Sequence, residues 1–268
     1  MASFCNQAFS LVELMMALGI VSFLGLLGLK WYESASQKAR MVRELAAART
    51  LMAAFQLYAA EHNGQLLAGY DRSVHQVTRP DGSRIVGEPV YRYPFRIAPY
   101  LNWKFEGSIY VNRNGEQVAK SSNGVAYLRD YLTSMFPAFG MNHYFVGGHV
   151  NEHGEVDFGD HVVTRLGQTT ASLLVFASGG TGDIPGGFDG YSHLTPPRLT
   201  QVNWSAQEWS SQSLPGAYGN VDARYNGRAI AAFLDGSVKA LTIEELRDMR
   251  LWCREAAAVN DPDYLIPH

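Results

Sequence analysis

Only two of the 268 residues are cysteine, Cys5 and Cys253. Two thiols cannot build a disulfide framework, so the fold has to be held by packing, and a buried thiol is the expectation for Cys253. Charge is scarce as well: 18% of residues are charged and the formal net charge is −3. That balance gives no electrostatic case for nucleic acid, whose binding rests on Lys and Arg neutralising phosphates. The chain has no G-x-S-x-G, no phosphate-binding Gly-Lys loop and no zinc-type Cys/His pairing. The usual signatures of nucleophilic hydrolysis, nucleotide chemistry and structural zinc are thereby missing, and no enzyme is expected. No internal repeat or low-complexity linker marks a second domain.

Most conspicuous among what is present is an apolar run from Phe9 to Leu29 that contains a single carboxylate, Glu13. At about 1.5 Å per helical residue its length matches the ~30 Å hydrocarbon core of a bilayer, so it predicts a spanning helix. Against that background Glu13 is costly, by at least about 2.5 kcal/mol on insertion scales, and such groups usually have a functional partner. A secretory signal peptide fits poorly, because Met1 to Ala8 holds no Lys or Arg and the apolar run is too long. A plain signal anchor leaves Glu13 without a reason.

Ala8, Phe9 and Glu13 resemble the processing site of type IV prepilins and pseudopilins, where a short leader ends in a small residue, the mature chain starts with Phe, and Glu stands fifth, as Glu13 does from Phe9. The resemblance implies cleavage after Ala8 by a prepilin peptidase, methylation of the new terminus at Phe9, and packing of the helix into a filament. Glu13 would then face the terminal amine of a neighbouring subunit, two charges that are costly alone and tolerable together. Its implied partners are copies of itself or other pilin-like subunits, the peptidase, and the assembly platform and secretin of such a system. The implied location is the bacterial inner membrane, single-pass, with a head in the periplasm or in an extracellular filament. Removal of the leader would take Cys5 with it.

Beyond the run, Met41, Leu45, Ala48, Met52, Phe55 and Ala59 recur at spacings of four and three, which predicts one apolar helix face. Ala46, Ala47, Ala53 and Ala54 add helix propensity, and His62-Asn63-Gly64 supplies a stop. The expected fold is α+β and pilin-like: a long N-terminal helix packed on an antiparallel β-rich head, with a C-terminal helix. Its segments are a leader over 1–8, a transmembrane half-helix over 9–29, an amphipathic continuation over 30–63 and the head over 64–268. Within the head, Ser172 to Ala177 and Arg228 to Leu234 read as strands, and Ala126 to Phe136 as a short helix. Asn114-Gly115, between Tyr110-Val111 and Gln117-Val118, reads as a hairpin turn.

Near the end, Tyr225 through Asp235-Gly236 resembles the H-X9-DG motif of large prepilin-processing-associated proteins, with Tyr225 in the His place. Residue by residue, Asp235-Gly236 predicts a tight turn between strands, and Thr242 with Glu245 a capping box that starts a helix running to about Ala258. The motif is therefore expected to be structural. Phe139 to Asn142 and Tyr93 to Tyr100 also look like segments of these proteins.

Three further groups bear on ligands. His149, His153, Asp157, Asp160 and His161 have metal-like spacing, but Gly147, Gly148, Asn151 and Gly154 break any helix that would align them. Asp183 and Asp189, in the Gly-rich loop Gly179 to Gly190, are oxygen ligands of the kind that hold Ca²⁺, although the loop lacks the ligand density of a calcium site, so no cofactor is expected. Trp204 and Trp209 in a polar stretch could grip a sugar or a protein, but large aromatics more often seal a core. The alternative to a filament subunit is accordingly a membrane-anchored exported binding protein for a sugar, metal or protein ligand.

Overall fold

The computed structural model describes residues 11–182 and 187–267. Its longest element is helix α1, Leu11–Glu61, which ends where Asn63 and Gly64 adopt φ of 53° and 83° and the Gly64 amide returns to the Ala59 carbonyl. The stop is thus the expected one, set by residues that tolerate positive φ. The chain forms two compact units, Met1–Met41 and Val42–His268, so the last five turns of α1 belong with the head. In the second unit the helix buries Ala48, Met52, Phe55 and Ala59 of the predicted face, leaves Leu45 half-buried, and adds Leu51 to the buried side.

In the first unit, the apolar side chains from Leu11 to Leu24 are exposed, and so are Trp31 and Tyr32. The expectation of a single-pass inner-membrane protein is overturned here: among the described residues no helix is long and apolar enough to cross a membrane. A span needs about 20 predominantly apolar residues. Among the described residues of α1, Glu13, Glu33, Lys38 and Arg40 interrupt the apolar sequence.

Short strands β1, Tyr70–Asp71, β2, Gln76–Thr78, and β3, Arg84–Val86, lead to helices α2, Glu88–Tyr91, and α3, Tyr93–Ile97. Helices α4, Asn114–Ser122, and α5, Ala126–Met135, follow, then strands β4, Phe139–Met141, β5, His149–Val150, β6, Leu174–Ser178, β7, Arg228–Phe233, and β8, Val238–Thr242. The last elements are α6, Ile243–Leu246, and α7, Arg254–Val259. The central sheet is antiparallel in the order β4-β6-β7-β8, so the fold is mixed α+β with a long N-terminal helix.

Both faces of this sheet are buried, which is why β6 and β7 read as almost continuous apolar runs. On one face Phe176 meets Phe55 of α1, ring centroids 5.6 Å apart, and Tyr93 of α3, 5.2 Å apart. On the other, Ala229, Ala231 and Phe233 join Trp252, Trp204, Tyr218, Ile243 and Met249 in one cluster. The C-terminal segment forms this second layer by breaking up, where one helix to about Ala258 was expected. Thr242 and Glu245 do make the capping box, but Asp248 then takes the Arg250 amide and side chain, and the chain turns. That turn lets Trp252 enter the core and donate its indole N–H to the Leu246 carbonyl at 2.8 Å.

The Asn114-Gly115 hairpin does not form; these residues open α4. The buried Asn114 side chain accepts from the Val111 amide at 2.7 Å and donates to the carbonyls of Ile109 and Phe136. Val118 then packs on Leu132 and Phe136. Fixed by these contacts, Asn114 serves as a hub between segments instead of a turn residue.

Candidate functional site

Ala8 and Phe9 lie outside the described residues. Glu13 stands in the first turn of α1 and is exposed. A carboxylate there also suits the positive end of the helix dipole, worth about 0.3–1 kcal/mol.

The head is built round a different carboxylate. Glu44 of α1 is completely buried, on the apolar face four residues before Ala48. Its Oε1 accepts from the Ser178 hydroxyl, at the end of β6. Its Oε2 accepts from the Tyr225 hydroxyl at 2.5 Å and from Asn112 Nδ2 at 3.4 Å, with Arg224 Nη1 3.7 Å away. Ser178 is held in turn by the Ile230 amide, 2.8 Å from its Oγ. Arg224 reaches Asp222 Oδ2 at 3.1 Å and the carbonyls of Asp189 and Gly179. A buried charge is tolerable only when it is paired and hydrogen-bonded, and both oxygens of Glu44 meet that condition. Burial and then the Glu44 charge raise the Tyr225 phenol pKa, so the hydroxyl keeps its proton and donates. For Arg224 burial opposes the charge, but Asp222 and Glu44 outweigh it and the pKa rises. With no exposed surface, the carboxylate holds elements together and does not reach a substrate.

The motif from Tyr225 to Gly236 now has a geometric meaning. Tyr225 precedes β7 and bonds Glu44; Gly236 follows β7 and faces Gln56, whose Nε2 would lie 3.0 Å from a Cβ added there. At about 1.5 Å per helical residue, Glu44 and Gln56 are ~18 Å apart along α1. The six residues of β7 cover about the same distance at ~3.3 Å each. Asp235-Gly236 makes the expected β7–β8 turn, but only Gly236 has positive φ, 85°; the Gly236 amide returns to the Phe233 carbonyl in a turn that ends in a left-handed glycine. Asp235 Oδ1 accepts from the Ser237 amide at 2.8 Å.

The predicted ligand groups come apart. His149 lies 4.0 Å from Asp157, whereas His153 is exposed beside Glu152 and His161 faces Glu255. His149 instead meets His143, ring centroids 5.5 Å apart, and His143 meets His193 with their Nδ1 atoms 3.3 Å apart. Asp183 lies outside the described residues, and the Asp189 carboxylate is 3.5 Å from Arg113. Trp204 is buried with its Nε1 donating to the Thr195 carbonyl, and Trp209 packs on the same cluster, so neither serves as the exposed grip of a binding protein. Cys253 is buried as expected, and burial foremost pushes its thiol up to about 12, leaving it protonated and unreactive. No family model, curated protein or solved structure matches the chain.

Proposed function

We propose that the protein is a structural subunit of a pilin-like filament, of the type II secretion pseudopilus or type IV pilus kind, assembled through the N-terminal part of α1. The supporting observation is that ten apolar side chains between Leu11 and Leu24 are exposed to 53–75% all round the helix. Monomers rarely leave so much apolar surface open, and equivalent helices from other copies would bury it. In this reading the chain is cleaved between Ala8 and Phe9 by a prepilin peptidase, and Glu13 accepts from the amine of a neighbour's Phe9. Platform and secretin components of such a system are its further partners, and the head has no reaction of its own.

The test compares sheared-filament yield at equal cellular levels of wild type, Glu13→Asp and Glu13→Val. Filament yield is expected to fall in that order, with N-terminal mass analysis showing a methylated Phe9. Equal yields from all three would remove the pairing role of Glu13, and retention of Met1 to Ala8 would remove processing.

A further inference from the structure

We infer that His143, His193 and His149 form a binding site for a divalent transition-metal ion of the zinc class. His143 follows β4, His193 runs beside Met141 of the same strand, and His149 lies in β5, so three separate segments deliver the rings to one place. The Nδ1 atoms of His143 and His193 are 3.3 Å apart, with ring planes at 70°. Two nitrogens bound at about 2.0–2.1 Å to one tetrahedral ion sit roughly 3.3–3.4 Å apart. The pair therefore already has the separation that a shared metal requires.

The protonation state agrees with the geometry. Burial, with His149 next in weight, lowers the His143 pKa to about 3. Burial and the neighbouring His143 also hold His193 well below its usual value. Both imidazoles are neutral at physiological pH, the form that binds metals. In the metal-free pair one ring donates its Nδ1 proton to the other. On binding, the donor ring carries that proton on Nε2, so both Nδ1 lone pairs face the ion and no net proton is lost. Two cations oppose a bound ion, Arg92 towards His193 and Arg72 towards His149, and Glu88 and Glu152 answer them at 3.2 and 2.9 Å.

Among the described residues no three such side chains already converge on one point. His149 supplies the third nitrogen by rotating its ring. It is free enough to do so, with its side chain 34% exposed, and it gives the ion a path from solvent. Asp157 Oδ2, 4.0 Å from His149 Nε2, is placed as the carboxylate that commonly orients a metal-binding histidine. Water completes the coordination. Imidazole ligands without thiolate or dense carboxylate favour Zn²⁺, Co²⁺, Ni²⁺ or Cu²⁺ over Ca²⁺ or Mg²⁺.

The experiment is titration of the metal-free full chain with Co²⁺, followed by its visible absorption and by competition with Zn²⁺. One Co²⁺ per chain is expected, displaced by Zn²⁺ and lost in His193→Gln. His149→Gln, at the rim, should keep the wild-type melting temperature without metal and bind at least about 10–100-fold more weakly, since loss of a coordinating nitrogen costs no less than loss of a ligand's outer-shell support. Absence of saturable binding, or affinity unchanged in His149→Gln, would overturn the site even if His193→Gln fails to fold.

Discussion

Replacing Glu44 by Leu should be among the most destabilising single changes in the head. Leucine suits the buried helix face, so the transfer term favours the variant by a few kcal/mol at most. What it leaves behind is the larger effect: the Tyr225 and Ser178 hydroxyls lose their acceptor, the Asn112 amide keeps only the Tyr225 oxygen at 3.2 Å, and Arg224 loses one of its anions. Each unsatisfied buried donor costs about 1–3 kcal/mol, and removing one partner of a buried charge set about 3–5 kcal/mol in total. Asn112 is at 3.4 Å and Arg224 keeps Asp222, so the lower part of that range, about 3 kcal/mol, is the expected loss. Removing one donor as well recovers part of the loss, whereas Ser178 has to stay because its Oγ accepts from the buried Ile230 amide at 2.8 Å. Glu44→Leu combined with Tyr225→Phe should therefore be more stable than Glu44→Leu alone, by only about 0.5–1 kcal/mol, since the half-buried Asn112 amide gives up the Tyr225 oxygen at 3.2 Å in return. Urea unfolding followed by tryptophan fluorescence measures both quantities. A Glu44→Leu variant within about 0.5 kcal/mol of wild type, or a double variant less stable than the single, would refute the reasoning.

Gly236→Val should lose about 1–3 kcal/mol, because a β-branched residue would be held at φ 85° with its Cβ against Gln56; Gly236→Asn should lose less, and equal melting temperatures for the two would show that φ is not the constraint. Stability should also fall at alkaline pH. Burial, foremost, raises the phenol pKa values of Tyr93 and Tyr225 above the ordinary value of 10.0. A folded-state pKa raised above the unfolded one contributes stability that is full below pH ~10 and is lost as pH rises towards the folded value. Tyr225→Phe should flatten the drop in melting temperature above pH ~10, and an unchanged slope would dissociate Tyr225 from it.

What the sequence made legible was local. The stripe from Met41 to Ala59, the Asn63-Gly64 stop, the Asp235-Gly236 turn and the Thr242-Glu245 box each depend on residues within a few positions of one another. The misreadings have partners far along the chain. Asn114 looked like a turn residue because nothing nearby shows that its amide bonds Phe136, 22 residues on. Glu44 sits among Arg40, Arg43 and Arg49 in the sequence, and its donors stand 68, 134 and 181 residues away. One signal was available: a Glu three residues after Met41 and four before Ala48 falls on the apolar face, where a carboxylate needs a partner. His143 and His193, 50 residues apart, had no shared pattern at all, and the regular spacing of His149 with His153 pointed to the wrong neighbour. Apolar length likewise pointed to a span, whereas among the described residues no helix is long and apolar enough to cross a membrane.

The two contacts that α1 makes at the ends of β7 also define how the head carries mechanical load. An axial pull on the Val42–Glu61 part of the helix would bear on the Glu44 bonds to Tyr225 and Ser178 together, in shear, and not peel them one after another. Sliding by a single residue would rotate the carboxylate by about 100° and move it ~1.5 Å, away from every donor at once, so small displacements meet a steep restoring force. Ser178 passes that force to the Ile230 amide, hence into the middle of the sheet, where hydrogen bonds on both flanks share it. The carboxylate acts as a shear pin: stiff against traction along the helix axis, and the first part to fail if its partners change.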